Sequence, residues 1–166
     1  MLYLNYVMQL TKVIKMHVVK EFYDPQGHIY ASSFVQTQKG LLMDVWGGGI
    51  AQPENIDAVM DHCFEQIEKN QLNHWLCDVC NIEGDFAQIV QSAEAGLKRI
   101  LEAGKVEKFA FISRRVNNAE RMQVTSMLRQ YGVEVQTFAS LARALEWLVV
   151  PSIEEDIWDE AELLTY

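Results

Sequence analysis

Between Leu41 and Pro151, short apolar runs alternate with longer stretches whose apolar residues recur at helical spacing. This alternation constrains the fold more than any single residue does. Leu41–Trp46 is the first run, and Gly47-Gly48-Gly49 breaks it. Pro53 suits a first helical turn, and Ile56, Val59, Met60, Cys63, Phe64 and Ile67 then form one apolar stripe, predicting a helix over 53–70. His74–Val79 reads as a strand. Asp85 caps a second helix striped by Phe86, Ile89, Val90, Ala93, Leu97, Ile100 and Leu101, with Gly104 at its end. Lys108–Ser113 holds the continuous run Phe109-Ala110-Phe111-Ile112, the pattern of a central strand buried on both faces. Asn117 or Asn118 caps a third helix that Gly132 ends. Val133–Phe138 is a further strand, and Ser140 opens a last helix stopped by Pro151. Strands that alternate with helices predict parallel pairing.

The first forty residues read differently. Asp24-Pro25-Gln26-Gly27 is a turn signal, with Pro and Gly at the positions a type I turn favours. It predicts a hairpin into His28–Gln36, and Val13, Ile14, Val18 and Val19 supply strand-prone residues before it. The expected fold is therefore α/β: a mixed, largely parallel sheet of about five strands backed by about four helices, with antiparallel strands at the N-terminus. At 166 residues the chain suits one structural domain. Its parts are an N-terminal extension and hairpin (1–39), a core (40–151) and an acidic tail (152–166).

The net charge is −9, with six acids and no base from Pro151 to Tyr166. Lys98–Arg129 runs the other way, with eight bases against three acids. A net-acidic chain disfavours broad contact with nucleic acid or anionic lipid, while the local basic stretch leaves room for one anionic ligand or an acidic partner. No apolar run is long enough to cross a membrane. The N-terminus lacks the basic n-region and cleavage site of a secretory leader. Cys63, Cys77 and Cys80 do not make a disulfide framework. These features predict a cytoplasmic protein.

The stretch from about Gly40 to Pro151 resembles the STAS / SpoIIAA-like domains, and most of all the small stand-alone STAS-like proteins of bacteria. The residues that carry the likeness are Leu41–Gly47, Trp75-Leu76-Cys77-Asp78, Phe109–Ile112 and the closing segment Val135–Leu148. The resemblance implies a mixed sheet backed by helices and a role in binding a regulatory partner or small ligand. Sporulation regulators of that family carry a phosphorylated serine in an Asp-Ser-Ser-Gly motif after the strand matched by His74–Val79. Here Cys80–Ala87 contains no serine, and the next one, Ser92, falls inside the predicted helix.

Several residues invite a chemical reading. Cys77-x-x-Cys80 has metal or redox spacing, but positions three apart on a strand face opposite ways, which points to structural thiols and no metal or cofactor site. Gly47-Gly48-Gly49 is a strand-to-helix turn or a phosphate cradle; without a following Lys-Ser/Thr it is no Walker loop. Asp78, at the carboxyl end of a central strand, either meets a partner or ligand together with Asn81 and Glu83 or accepts loop amides. Ser113, Arg114 and Arg115 precede the Asn117 cap. Two guanidinium groups there suit a phosphate or carboxylate, or stay solvated. No catalytic constellation can be assembled from the histidines.

The expectation is a non-enzymatic STAS-like regulatory module that binds a protein partner or small ligand. The alternative is a carrier of an apolar molecule or lipid in a cavity between sheet and helices. An apolar pocket of several hundred Å³ would favour the carrier. The strand-prone N-terminus and the tail, with Trp158 and two leucines, predict a homodimer.

Overall fold

The apolar runs are strands and the striped stretches are helices. The computed structural model of the chain describes residues 15–48, 52–114 and 118–149. Six strands form one sheet: β1 (His17–Tyr23), β2 (Ile29–Gln36), β3 (Leu41–Trp46), β4 (His74–Asp78), β5 (Lys108–Ile112) and β6 (Glu134–Phe138). Four helices accompany them: α1 (Pro53–Asn70), α2 (Phe86–Glu102), α3 (Asn118–Gln130) and α4 (Leu141–Val149). The sheet is mixed as expected, and both arms of the opening hairpin belong to it. Residues 1–14 and 150–166, which include Val13, Ile14 and the acidic tail, lie outside the described residues.

Strand order in space equals strand order in sequence. β1, β2 and β3 pair antiparallel, and β3 to β6 pair parallel. The hairpin turn forms as its residues dictate. The amide of Gly27 donates to the Asp24 carbonyl at 2.9 Å, and Asp24 Oδ1 accepts the amides of Gln26 and His28. Each later crossover steps one strand in the same direction. Crossovers of one hand therefore lay their helices on one face.

Side-chain alternation divides the sheet between two cores. Leu42, Trp75, Cys77, Phe109, Phe111 and Val135 face α1, α2 and α3. Leu41, Met43, Val45, Leu76, Ala110 and Ile112 face the other way and meet α4. β5 is thus buried on both faces, as its unbroken apolar run predicts. Trp75 and Phe109 meet edge to face, with ring centres 5.0 Å apart.

Helices α1 and α2 approach closely at Gly96. A Cβ there would lie 2.5 Å from Met60 Cβ. The contact continues outward through Arg99, which reaches Asp61 Oδ1 at 2.6 Å and lies over the Phe64 ring. Alanine normally favours a helix over glycine by about 1 kcal/mol, but overpacking a fitted contact costs about 1–3 kcal/mol. Gly96→Ala is therefore expected to lower stability by up to about 2 kcal/mol in urea unfolding, the overpacking cost less the propensity gain. An unchanged or raised midpoint would show that the two helices separate freely.

Candidate functional site

The carboxyl ends of β3, β4 and β5 lie along one edge of the sheet, where open α/β sheets bind their ligands. The loops after β3, β4 and β5 carry the predicted site residues; the loop after β6 leaves the same edge toward α4. Gly47 begins the first, and its amide donates to the Tyr30 carbonyl at 2.8 Å. A Cβ on Gly47 would sit 2.8 Å from the Ile29 carbonyl oxygen, so the close approach to β2 requires glycine. Gly49 lies outside the described residues.

The second loop joins β4 to α2 and carries Asp78, Asn81 and Glu83. Asp78 is fully buried, and its Oδ1 accepts the Cys80 amide at 3.0 Å. Its neighbours in register, Val45 and Ile112, belong to the core under α4. Of the two sequence readings of Asp78, the structure displays the loop-amide one. Contact with anything outside the fold is left to half-buried Asn81 and exposed Glu83. Asp85 caps α2 as predicted, accepting the Ala87 amide at 2.9 Å. In the third loop Ser113 is half-buried and Arg114 is exposed, while Arg115 and Asn117 lie outside the described residues. The edge thus gathers Asn81, Glu83, Ser113 and Arg114.

β4 ends at Asp78, so Cys80 lies beyond the strand and strand alternation does not place it. Cys77 belongs to the three-helix core and Cys80 to the α4 core. Burial pushes the Cys63 and Cys77 thiols well above their ordinary range, which keeps them protonated and poorly nucleophilic.

One buried group was not anticipated from the sequence. Asp44 interrupts the apolar run of β3 and is inaccessible to solvent on the three-helix side. Trp46 Nε1 donates to its Oδ2 at 2.9 Å, and Trp75 Nε1 donates to its Oδ1 at 2.5 Å. The Cys77 thiol, its partner in register on β4, adds a third donor. Burial raises the Asp44 pKa to about 6, against the pull of these donors toward the charged form. The signal in the sequence was a lone acid in a strand otherwise made of Leu, Met, Val and Trp.

Behind this cluster lies an apolar cavity of about 60 Å³. The rings of Trp46, Trp75, Phe86 and Phe109 and the side chains of Met60 and Ala93 contribute to its lining. Both indole nitrogens turn toward Asp44, so the cavity meets ring carbon. A second, more polar hollow of about 180 Å³ opens between the first turns of α1 and α2. Gln52, Pro53, Gly84, Asp85, Gln88 and Ser92 line it, and it shares Ile56 and Ile89 with the apolar cavity. The sequence did not mark Gln52, Gln88 or Ser92 as site residues, because a polar side chain at a helix start or on a helix carries no local signal of a ligand. Among the described residues no group of three or more His, Cys, Asp or Glu is placed to hold a metal ion. No helix among them is long and apolar enough to cross a membrane.

The Asp44 pKa has a consequence for stability. Below pH 3.8, its ordinary value, the carboxyl is protonated in both the folded and the unfolded chain. Between 3.8 and about 6 the unfolded chain releases the proton while the folded chain keeps it, so stability falls as pH rises. The loss amounts to about 3 kcal/mol and is complete above the folded pKa. Urea unfolding of the wild type and Asp44→Asn at pH 4 and pH 7 isolates this contribution. The wild type is expected to lose more stability than the variant over that interval; an equal change in both would sink the assignment.

No protein-family model matches the chain, and no solved structure matches it. Arginine–tRNA ligases from two strains of Limosilactobacillus reuteri are each 29% identical to it over 90 residues. The match covers 54% of this chain and 16% of each ligase, so the chain spans a small part of the curated relatives it matches. The likeness is one of partial sequence.

Proposed function

We propose that the chain is a non-enzymatic, STAS-like regulatory module that binds a protein partner or small ligand at the carboxyl edge of its parallel strands. The observation that carries this reading is the hollow of about 180 Å³ between the first turns of α1 and α2. It lies beside the loop that bears Asn81 and Glu83. Two features support binding over catalysis. Asp44, the carboxyl group raised furthest toward neutral pH, is sealed from solvent with donors on both oxygens. Burial holds the Cys63 and Cys77 thiols protonated. The loop Cys80–Ala87 has no hydroxyl for a phosphoryl switch of the sporulation-regulator kind. A cytoplasmic location accords with this role.

The lipid-carrier reading is weaker on size. A cavity of about 60 Å³ falls well short of the several hundred Å³ in which pockets for drug-sized ligands begin. The site therefore suits a small molecule or a protruding side chain from a partner.

Ser92→Trp fills the polar hollow from α2, where Ser92 is half-buried. Native mass spectrometry of the chain purified from its producing cells is expected to show a bound partner or ligand that this variant lacks. Retention of the same species by Ser92→Trp would place binding elsewhere.

A homodimer forms part of the same proposal. At the sheet's edge β1 pairs with β2, and Val18, Val19 and Tyr23 remain exposed there. Sedimentation of the full chain at micromolar concentration is expected to report a dimer, and deletion of residues 1–15 or of residues 152–166 to separate it into monomers. A monomeric full chain would refute it.

A further inference from the structure

We infer that the apolar cavity and the polar hollow form one ligand site, for a small molecule that joins a branched apolar group of about four carbons to an uncharged hydrogen-bonding head. This inference rests on the proposed binding edge and specifies what it takes. The two spaces share Ile56 and Ile89, so displacement of an aliphatic side chain connects them. Ile56 is almost fully buried, and Ile89 retains 9% of its exposure, which makes Ile89 the movable member of the pair.

Size sets the apolar part. At roughly 10–15 Å³ for each water-sized position, the cavity of about 60 Å³ accommodates about four to six heavy atoms. An isobutyl group has that bulk. A long acyl chain does not fit, and a polar group would find aromatic and aliphatic carbon around it.

Charge sets the head. The first turns of α1 and α2 border the hollow, and their positive dipole ends disfavour a cation. Asp85 at its rim disfavours an anion. Gln52, Gln88 and Ser92 offer both donors and acceptors without charge, and Gln52 spends no side-chain hydrogen bond on capping α1. An amide or hydroxyl head satisfies this surface; a carboxylate or ammonium meets repulsion from one side of it.

Isovaleramide, isovalerate and isopentylamine carry the same isobutyl group on a neutral, an anionic and a cationic head. Titrated into the full chain and followed by the methyl resonances of Ile56, Ile89 and Ala93, isovaleramide is expected to give saturable shifts at millimolar concentration. The two charged probes are expected to bind at least tenfold more weakly. Ala93→Leu fills the cavity from α2 and is expected to abolish the response; if that variant does not fold, Val124→Ile narrows the same cavity from α3. Three results would overturn the inference: no saturable response to the amide, equal binding of a charged probe, or binding that survives the cavity-filling variant. If Ser92→Trp keeps its cellular partner while isovaleramide binding still requires Ala93, the edge-binding function fails and the cavity site stands. If Ser92→Trp loses its partner and isovaleramide never binds, the cavity site alone fails.

Discussion

A carboxylate removed from water must find donors inside the protein, and much of the sheet's centre is arranged around the one at Asp44. Two indoles and a thiol converge on it from β3 and β4. Truncating either tryptophan would leave a buried oxygen without its donor, at a cost of about 1–3 kcal/mol. The same hydrogen bonds fix the two indole planes. Fixed indoles in turn present carbon, and no N–H, to the cavity between sheet and helices. The polarity of one residue thereby sets the apolar character of the space beside it.

Much of the architecture was legible because hydrophobic periodicity is a local property. Pro53–Asn70 matches the predicted helix, and β5 is buried on both faces as Phe109–Ile112 implied. Asp85 caps α2, and Gly104 and Gly132 adopt the left-handed conformation expected after helices. The site was less legible because it is assembled across distance. Trp75 reaches Asp44 from 31 residues away. The polar hollow draws Gln52 from one helix start and Gln88 and Ser92 from another. Asp78, in a sequence position that suits ligands, instead turns beneath the sheet toward α4, because strand alternation places it on the side of Leu76.

The two faces of the sheet serve different ends. Beneath α1, α2 and α3 lie Trp46, Trp75, Asp44 and the cavity. Beneath α4 the packing is aliphatic, with Leu41, Met43, Leu76, Ala110 and Ile112 meeting Leu141, Ala144, Leu145 and Leu148. Phe138 and Trp147 close its rim, with ring centres 5.6 Å apart. This second layer also buries Asp78, whose Oδ1 accepts the Cys80 amide, and it anchors the strands whose carboxyl ends form the proposed binding edge.

The sequential strand order also has a consequence for synthesis on the ribosome. Each strand can add to the growing sheet as it emerges, and α1, α2 and α3 arrive in step to cover one side. The other side waits. Leu41, Met43 and Leu76 leave the exit tunnel long before Leu141–Val149, the helix that covers them. A nascent chain stalled ahead of α4 would hold a sheet dressed on one side and bare on the other, an aliphatic surface suited to chaperones or to neighbouring nascent chains. Completion of this fold therefore depends on its last described helix, nine residues long.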